Sequence, residues 1–240
     1  MVMLYAILSQ NLPFVEMLAL VIAYFIAIVV AFSAHEFSHA FVAYKCGDPT
    51  SKSFGRVSLN PFKHIDPMGM LCFLIIGFGW AKPVQINPMR FKHYKRDMAF
   101  VSLAGVFTNI VLAFIFSGVY FFTFTSLVGA TNAFLVFVNY LLVYLITINI
   151  ALCVFNLLPI YPLDGFNFLS VFMKPTNKFL QFMVRYGSII MLILIITPIF
   201  DFVYDVVTDF IISGFFGFWG LFVWRKQMKK FCKIMNIKSS

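Results

Sequence analysis

The sequence predicts an all-α polytopic membrane protein with about five transmembrane helices. A short membrane re-entrant hairpin is expected between the first and second of them. Three observations carry this expectation. Hydrophobic residues make up 62% of the 240 positions and charged residues only 11%, whereas soluble domains carry about 25% charged residues. Runs of about 20 apolar residues recur, the length a helix needs to cross a hydrocarbon core. The Lys and Arg residues fall between these runs and in the tail, as the positive-inside rule expects of a membrane protein.

The expected spans are about 14–44, 98–124, 132–158, 181–200 and 206–224. The first opens with "FVEMLALVIAYFIAIVVAF" and is longer than a bilayer requires. The N-terminal "MVMLYAILSQNLP" has no Lys or Arg ahead of its apolar residues and no small-residue cleavage site, so no removable signal peptide is expected. Residues 1–44 hold no Lys or Arg, while 45–97 are dense in them. Further basic residues lie at Lys174, Lys178, Arg185 and in the tail "RKQMKKFCK". Five spans place all these clusters on one side, which the rule makes cytoplasmic, with the N-terminus outside and the C-terminus inside. The net charge of +9 therefore points to the lipid bilayer and not to nucleic acid.

One apolar segment is too short to span. "MGMLCFLIIGFGW" (Met68 to Trp80) should dip into the membrane and return, and Gly77, Gly79 and Pro83 favour a turn or bent strand over a regular helix. Cys46, Cys72, Cys153 and Cys232 are scattered without CxxC spacing, so neither a thiolate zinc cluster nor a disulfide framework is expected. The chain reads as one domain, 1–240, with a core of about 14–170, further spans at about 181–224 and a basic tail at 225–240.

The chemistry lies in "HEFSH", His35 to His39. On a helix, His35 and His39 project from one face and can reach a single ion. Glu36 is offset around the helix, free to act as general base toward a water at that ion. The chain has only four His and two Glu, and ionisable groups beside an apolar span are costly, so they mark function. An open zinc site needs a third protein ligand. No glutamate remains for it, which leaves His64, His93 and the aspartates. Asp164, in "FNLLPIYPLDGFNFL", lies where Pro159 and Pro162 break the chain at the end of the third span, on the side of His39. The competing role for Asp164 is the N-cap of a helix running to Lys174.

HEFSH together with "NLLPIYPLDG" (Asn156 to Gly165) resembles the site-2 protease family of intramembrane zinc metalloproteases, in its small bacterial form without PDZ or CBS domains. "GDPTSKSFGRVSLNPFKHIDPMG", "GWAKPV" and "SLAGVFTN" extend the resemblance over about residues 30–170, leaving the last two spans outside it. The resemblance implies one zinc ion per chain held by His35, His39 and Asp164, with Glu36 as base. It implies that Asn156 positions substrate or stabilises the oxyanion; packing at the proline break is the alternative for that side chain. Val106 replaces the proline that small relatives carry in the second core span. Substrates implied are membrane proteins, such as anti-sigma factors, or signal-peptide remnants. The rival readings are a transporter or channel using its intramembrane polar residues, and a non-catalytic scaffold of the same fold.

Overall fold

The computed structural model describes residues 13–76, 79–127 and 132–234. Five helices are long and apolar enough to cross a membrane, and they match the expected spans closely. They are α1 (Phe14–Lys45), α4 (Tyr94–Leu127), α5 (Ala133–Asn156), α7 (Lys178–Ile196) and α8 (Pro198–Ile234). The connections carry three short helices, α2 (Thr50–Ser53), α3 (Pro67–Ile76) and α6 (Asp164–Ser170). The protein is integral to the membrane.

Three of the spans form the core. Ala23, Ala27 and Ala31 recur every four residues along α1 and are fully buried, so its backbone comes close to α5. There they meet Tyr144, Leu145, Ile148 and Leu152. Helix α4 completes the core through Ala113, which packs with Ile146, Ile150 and Val154 of α5. It runs unbroken through Val106, where no proline interrupts its hydrogen bonds. The last spans are peripheral. Helix α8 docks on α4 where Trp219 stacks on Phe114 at 4.6 Å and its indole N–H reaches Ser117 Oγ at 3.0 Å. Helix α7 comes against the α5–α6 connection at Gly187, beside Tyr161.

Three expectations are corrected. The Met68–Trp80 segment begins as a regular helix, α3, and not as a bent strand. The reason is its start: the Asp66 carboxylate accepts from the N–H groups of Met68 and Gly69 at 2.9 Å each, and Pro67 occupies the first turn, where a missing N–H costs nothing. Gly77 lies outside the described residues. The chain then returns to its starting point, with Ile65 bridging Ala81 and Lys82 N–H donating to His64 O at 2.7 Å. Second, residues 202–205 are helical, and the break between α7 and α8 is the single residue Thr197, because Pro198 begins the new helix. Third, Asp164 is not an N-cap. Leu163 holds that position without a side-chain cap, and α6 ends at Ser170, short of Lys174.

Beyond the return, residues 82–87 form no helix or strand and cross the end of α1 that lies beside the basic connections. Four hydrogen bonds hold them there: Lys82 N–H to His64 O, Val84 N–H to Glu36, Ser51 Oγ–H to Gln85 O at 2.6 Å and Asn87 N–H to Asp48 at 2.6 Å.

Candidate metal centre

Helix α1 continues for three turns past the point where its apolar run ends, carrying HEFSH inside the bundle. His35 and His39 are both buried, one turn apart, facing α4. Their neighbour there is Gly105. A Cβ at this position would stand 2.5 Å from His39 Nε2 and 2.6 Å from His35 Nδ1, so only glycine lets α4 approach the two rings. Asp164 reaches them from the first turn of α6, delivered by the proline-broken connection after α5.

The three side chains converge on one point. His39 Nε2 lies 3.1 Å from His35 Nε2 and 3.1 Å from Asp164 Oδ2, and His35 Nε2 lies 3.2 Å from the same oxygen. This is a nearly equilateral triangle of potential ligand atoms. A tetrahedral zinc ion with ligands at about 2.0–2.1 Å separates them by about 3.3 Å, so the triangle matches one face of such a site and leaves a fourth position open.

The other ring nitrogens are tied down. His39 Nδ1–H donates to Val101 O at 2.7 Å, and His35 Nδ1 meets Asn109 Oδ1 at 2.6 Å. Both contacts place the proton on Nδ1 and leave the Nε2 lone pair pointing at the triangle, the tautomer a metal ligand needs. Two bare nitrogens and a carboxylate oxygen this close repel one another unless a cation joins them, so the donor set fits a divalent metal.

Glu36 stands beside this triangle in sequence but turns elsewhere. Its Oε2 accepts from Val84 N–H at 3.1 Å, which fixes the carboxylate against the segment at residues 82–87 and leaves Oε1 free for another partner. Asn156, at the end of α5, folds its amide onto Leu152 O at 3.0 Å within its own helix. That carbonyl is not the one Pro159 releases. Phe155 O is, and it is taken by Leu158 N–H.

The remaining third-ligand candidates are engaged away from the triangle. His64 is buried with Nε2 on Ser58 O at 2.7 Å. His93 is exposed and its backbone N–H caps onto Asp97. Asp48 binds Thr50 and the N–H of Asn87, and Asp66 caps α3. Sequence reasoning missed Asn109 as a support for His35, and it missed Asn149 entirely. The resemblance of "SLAGVFTN" was the available signal for Asn109, but a span position says nothing about a hydrogen-bond partner 74 residues away.

Comparison with known proteins agrees with this geometry. The profile of peptidase family M50 matches residues 23–196, so α7 lies inside the family region, contrary to the expectation that both last spans stand outside it. A provisionally named zinc metalloprotease of Bacillus subtilis (strain 168), YwhC, is 38% identical over 181 residues, covering 74% of this chain and 82% of its own. Rip2 of Mycolicibacterium smegmatis, likewise provisionally named a zinc metalloprotease, is 35% identical over 178 residues, covering 68% of this chain and 62% of its own. Rip2 of Mycobacterium tuberculosis (strain H37Rv), with the same provisional description, is 28% identical over 199 residues, covering 79% of this chain and 71% of its own. No solved structure matches. With a buried two-histidine, one-aspartate triangle and a family match over most of its length, the chain belongs to peptidase family M50, the site-2 protease family that its motifs resemble.

Proposed function

We propose that this protein is an intramembrane zinc metalloprotease that hydrolyses peptide bonds within or near transmembrane segments of other membrane proteins. The observation that carries the reading is the His35–His39–Asp164 triangle with edges of 3.1–3.2 Å, set inside a bundle of membrane-spanning helices. Those three residues hold one zinc ion, whose chemistry in such a place is polarisation of a carbonyl and acidification of a water. Glu36 is the general base: Val84 N–H holds its Oε2, and Oε1 accepts the proton of the attacking water. Asn156 sits at the mouth of the α5–α6 connection, and a role in orienting substrate is assigned to it here only through the family resemblance.

The substrate must arrive as extended chain, because an intact transmembrane helix keeps its amides in internal hydrogen bonds. Residues 82–87 offer a place for it. They form no helix or strand, they touch Glu36 through Val84, and the N–H of Gln85 has no partner among the described residues. This moves the docking edge from Met68–Trp80, which is largely helical, to the segment that follows it. The re-entrant path of α3 is supported by Met70 and Trp80, which lie beside Ile28 and Phe32, well inside the first span. The site faces the cytoplasm in this reading, in a bacterial inner membrane, and its substrates are membrane-tethered regulators or signal-peptide remnants.

The test uses the purified chain and its Glu36→Gln variant. Both should contain about one zinc per chain, and only the unmodified protein should cleave single-span peptides, with a loss of about 10²–10⁴-fold or more in the variant. Equal cleavage by both would rule out the mechanism. Zinc without cleavage in either would favour the scaffold, and ion flux without zinc would favour the transporter.

A further inference from the structure

The mechanism above needs His35 in one tautomer, and the structure shows what sets it. Leu145 O is a backbone carbonyl and can only accept a hydrogen bond. Asn149, one turn further along α5 and fully buried, meets it at 2.7 Å with Nδ2. That contact fixes which end of the Asn149 amide is which, so Oδ1 points away, toward α4. There it accepts from Asn109 Nδ2 at 2.7 Å. With its nitrogen committed, Asn109 presents Oδ1 to His35 Nδ1 at 2.6 Å. An oxygen at that position accepts, so Nδ1 carries the proton and Nε2 is bare.

We propose that Asn149 is a positioning residue for the metal centre: acting through Asn109, it transmits the polarity of a backbone carbonyl on α5 to the imidazole of His35 and holds that ring ready to bind metal. The inference rests on the zinc reading above. Two amides in series are needed because each is symmetric in shape and can flip, and an Asn109 with its NH₂ toward His35 would force the proton onto Nε2 and block the ligand. A second contact restrains the same flip. Asn109 Nδ2 also lies 3.4 Å from Ala31 O on α1, at the long end of hydrogen-bonding distance. The 2.7 Å bond from Asn149 is the stronger restraint. All of this lies in a dry interior, where both asparagines are fully buried and no water competes for their amides.

The relay predicts coupling, which mere packing does not. In full-length protein in nanodiscs, zinc affinity is read by competition with a chromophoric chelator, and the His35 tautomer by ring ¹³C and ¹⁵N shifts of labelled histidine in metal-free protein. Asn149→Leu should weaken zinc binding about 10–100-fold, the range typical of lost supporting partners, and should populate the Nε2–H form of His35. Asn109→Leu should lose at least as much. The double variant should be no worse than Asn109→Leu alone, because one residue acts through the other. Asn149→Asp keeps an acceptor facing Asn109 and should stay within a few-fold of the unmodified protein, which also guards against a folding defect in the leucine variant. The proposal is overturned if Asn149→Leu binds zinc unchanged, if the two single losses multiply, or if Asn149→Asp loses as much as Asn149→Leu. Should the unmodified chain bind no zinc, the metal reading fails instead, and the tautomer in the metal-free variants still decides the relay.

Discussion

Gly105 shows how little room the centre leaves. The α4 backbone passes so close to His35 and His39 that a single methyl would collide with both rings. The rings cannot retreat, since Val101 O and Asn109 hold their far sides. Gly105→Ala should therefore weaken zinc binding by about 10-fold or more while leaving helical content intact, a combination that chelator competition and circular dichroism would check. Asp48 illustrates a different residue-scale device. It is fully buried in the connection after α1, where burial opposes its ionisation. Hydrogen bonds from the Thr50 hydroxyl and from the N–H groups of Asn87 and Thr50, with Arg90 nearby, overcome that and lower its pKa. A carboxyl depressed in the folded state stabilises above its unfolded pKa of about 3.9, and that contribution is lost as pH falls through the lower folded value. Asp48→Ala should cost about 1–3 kcal/mol at neutral pH, from backbone donors left without a partner. It should also flatten the acid limb of a pH–stability curve; an unchanged limb would show that Asp48 does not contribute to it.

At the scale of elements, the catalytic geometry is divided among pieces that meet only by folding. In the proposed reading, helix α1 supplies two ligands and the base, α6 the third ligand, α4 the glycine and the first supporting amide, and α5 the second. The segment at residues 82–87 is the one element that touches the base without belonging to the bundle. It is held by Glu36, Ser51, Asp48 and His64, and the Gln85 N–H has no partner among the described residues. Gln85→Pro removes that N–H, the one a strand-like substrate could accept from here. Cleavage should fall about 10-fold or more in kcat/KM, roughly the worth of one to two hydrogen bonds, with zinc content unchanged. Undiminished cleavage would remove this segment from substrate binding.

The whole molecule is a three-helix core with a peripheral pair attached. Helices α1, α4 and α5 bury their small and branched residues against one another, while α7 and α8 present mostly lipid-facing apolar side chains such as Leu192, Ile193, Val206 and Phe210. The bundle brings His35, His39 and Asp164 to the end where the basic connections lie, so orientation in the bilayer decides which compartment supplies water. In the proposed orientation that compartment is the cytoplasm, as the positive-inside rule expects. In a cysteine-free background, a membrane-impermeant maleimide should label Asn132→Cys on intact cells and Lys178→Cys only after permeabilisation. The reverse pattern would invert the topology.

The sequence by itself determined the class, the five spans and the family. Span length and charge asymmetry are properties of composition along the chain, and HEFSH sets two ligands on one helical face by its spacing alone. The close of Asp164 on those histidines was readable in outline, because Pro159 and Pro162 mark where the third span must end. What the tertiary structure alone decided depends on contacts between residues far apart in sequence. The run from Met68 opened as helix, Pro67–Ile76, because Asp66 caps its first turn, and the backbone that meets Glu36 fell in the stretch after Trp80. Asp164 lies in the first turn of α6 and not at its N-cap, and the fold brings its carboxylate against the Nε2 atoms of both His35 and His39. Asn109 and Asn149 carried no motif that spoke of histidine, since the direction of an amide is set by its neighbours in space. Periodicity reports which face of a helix is buried; only packing reports what that face meets.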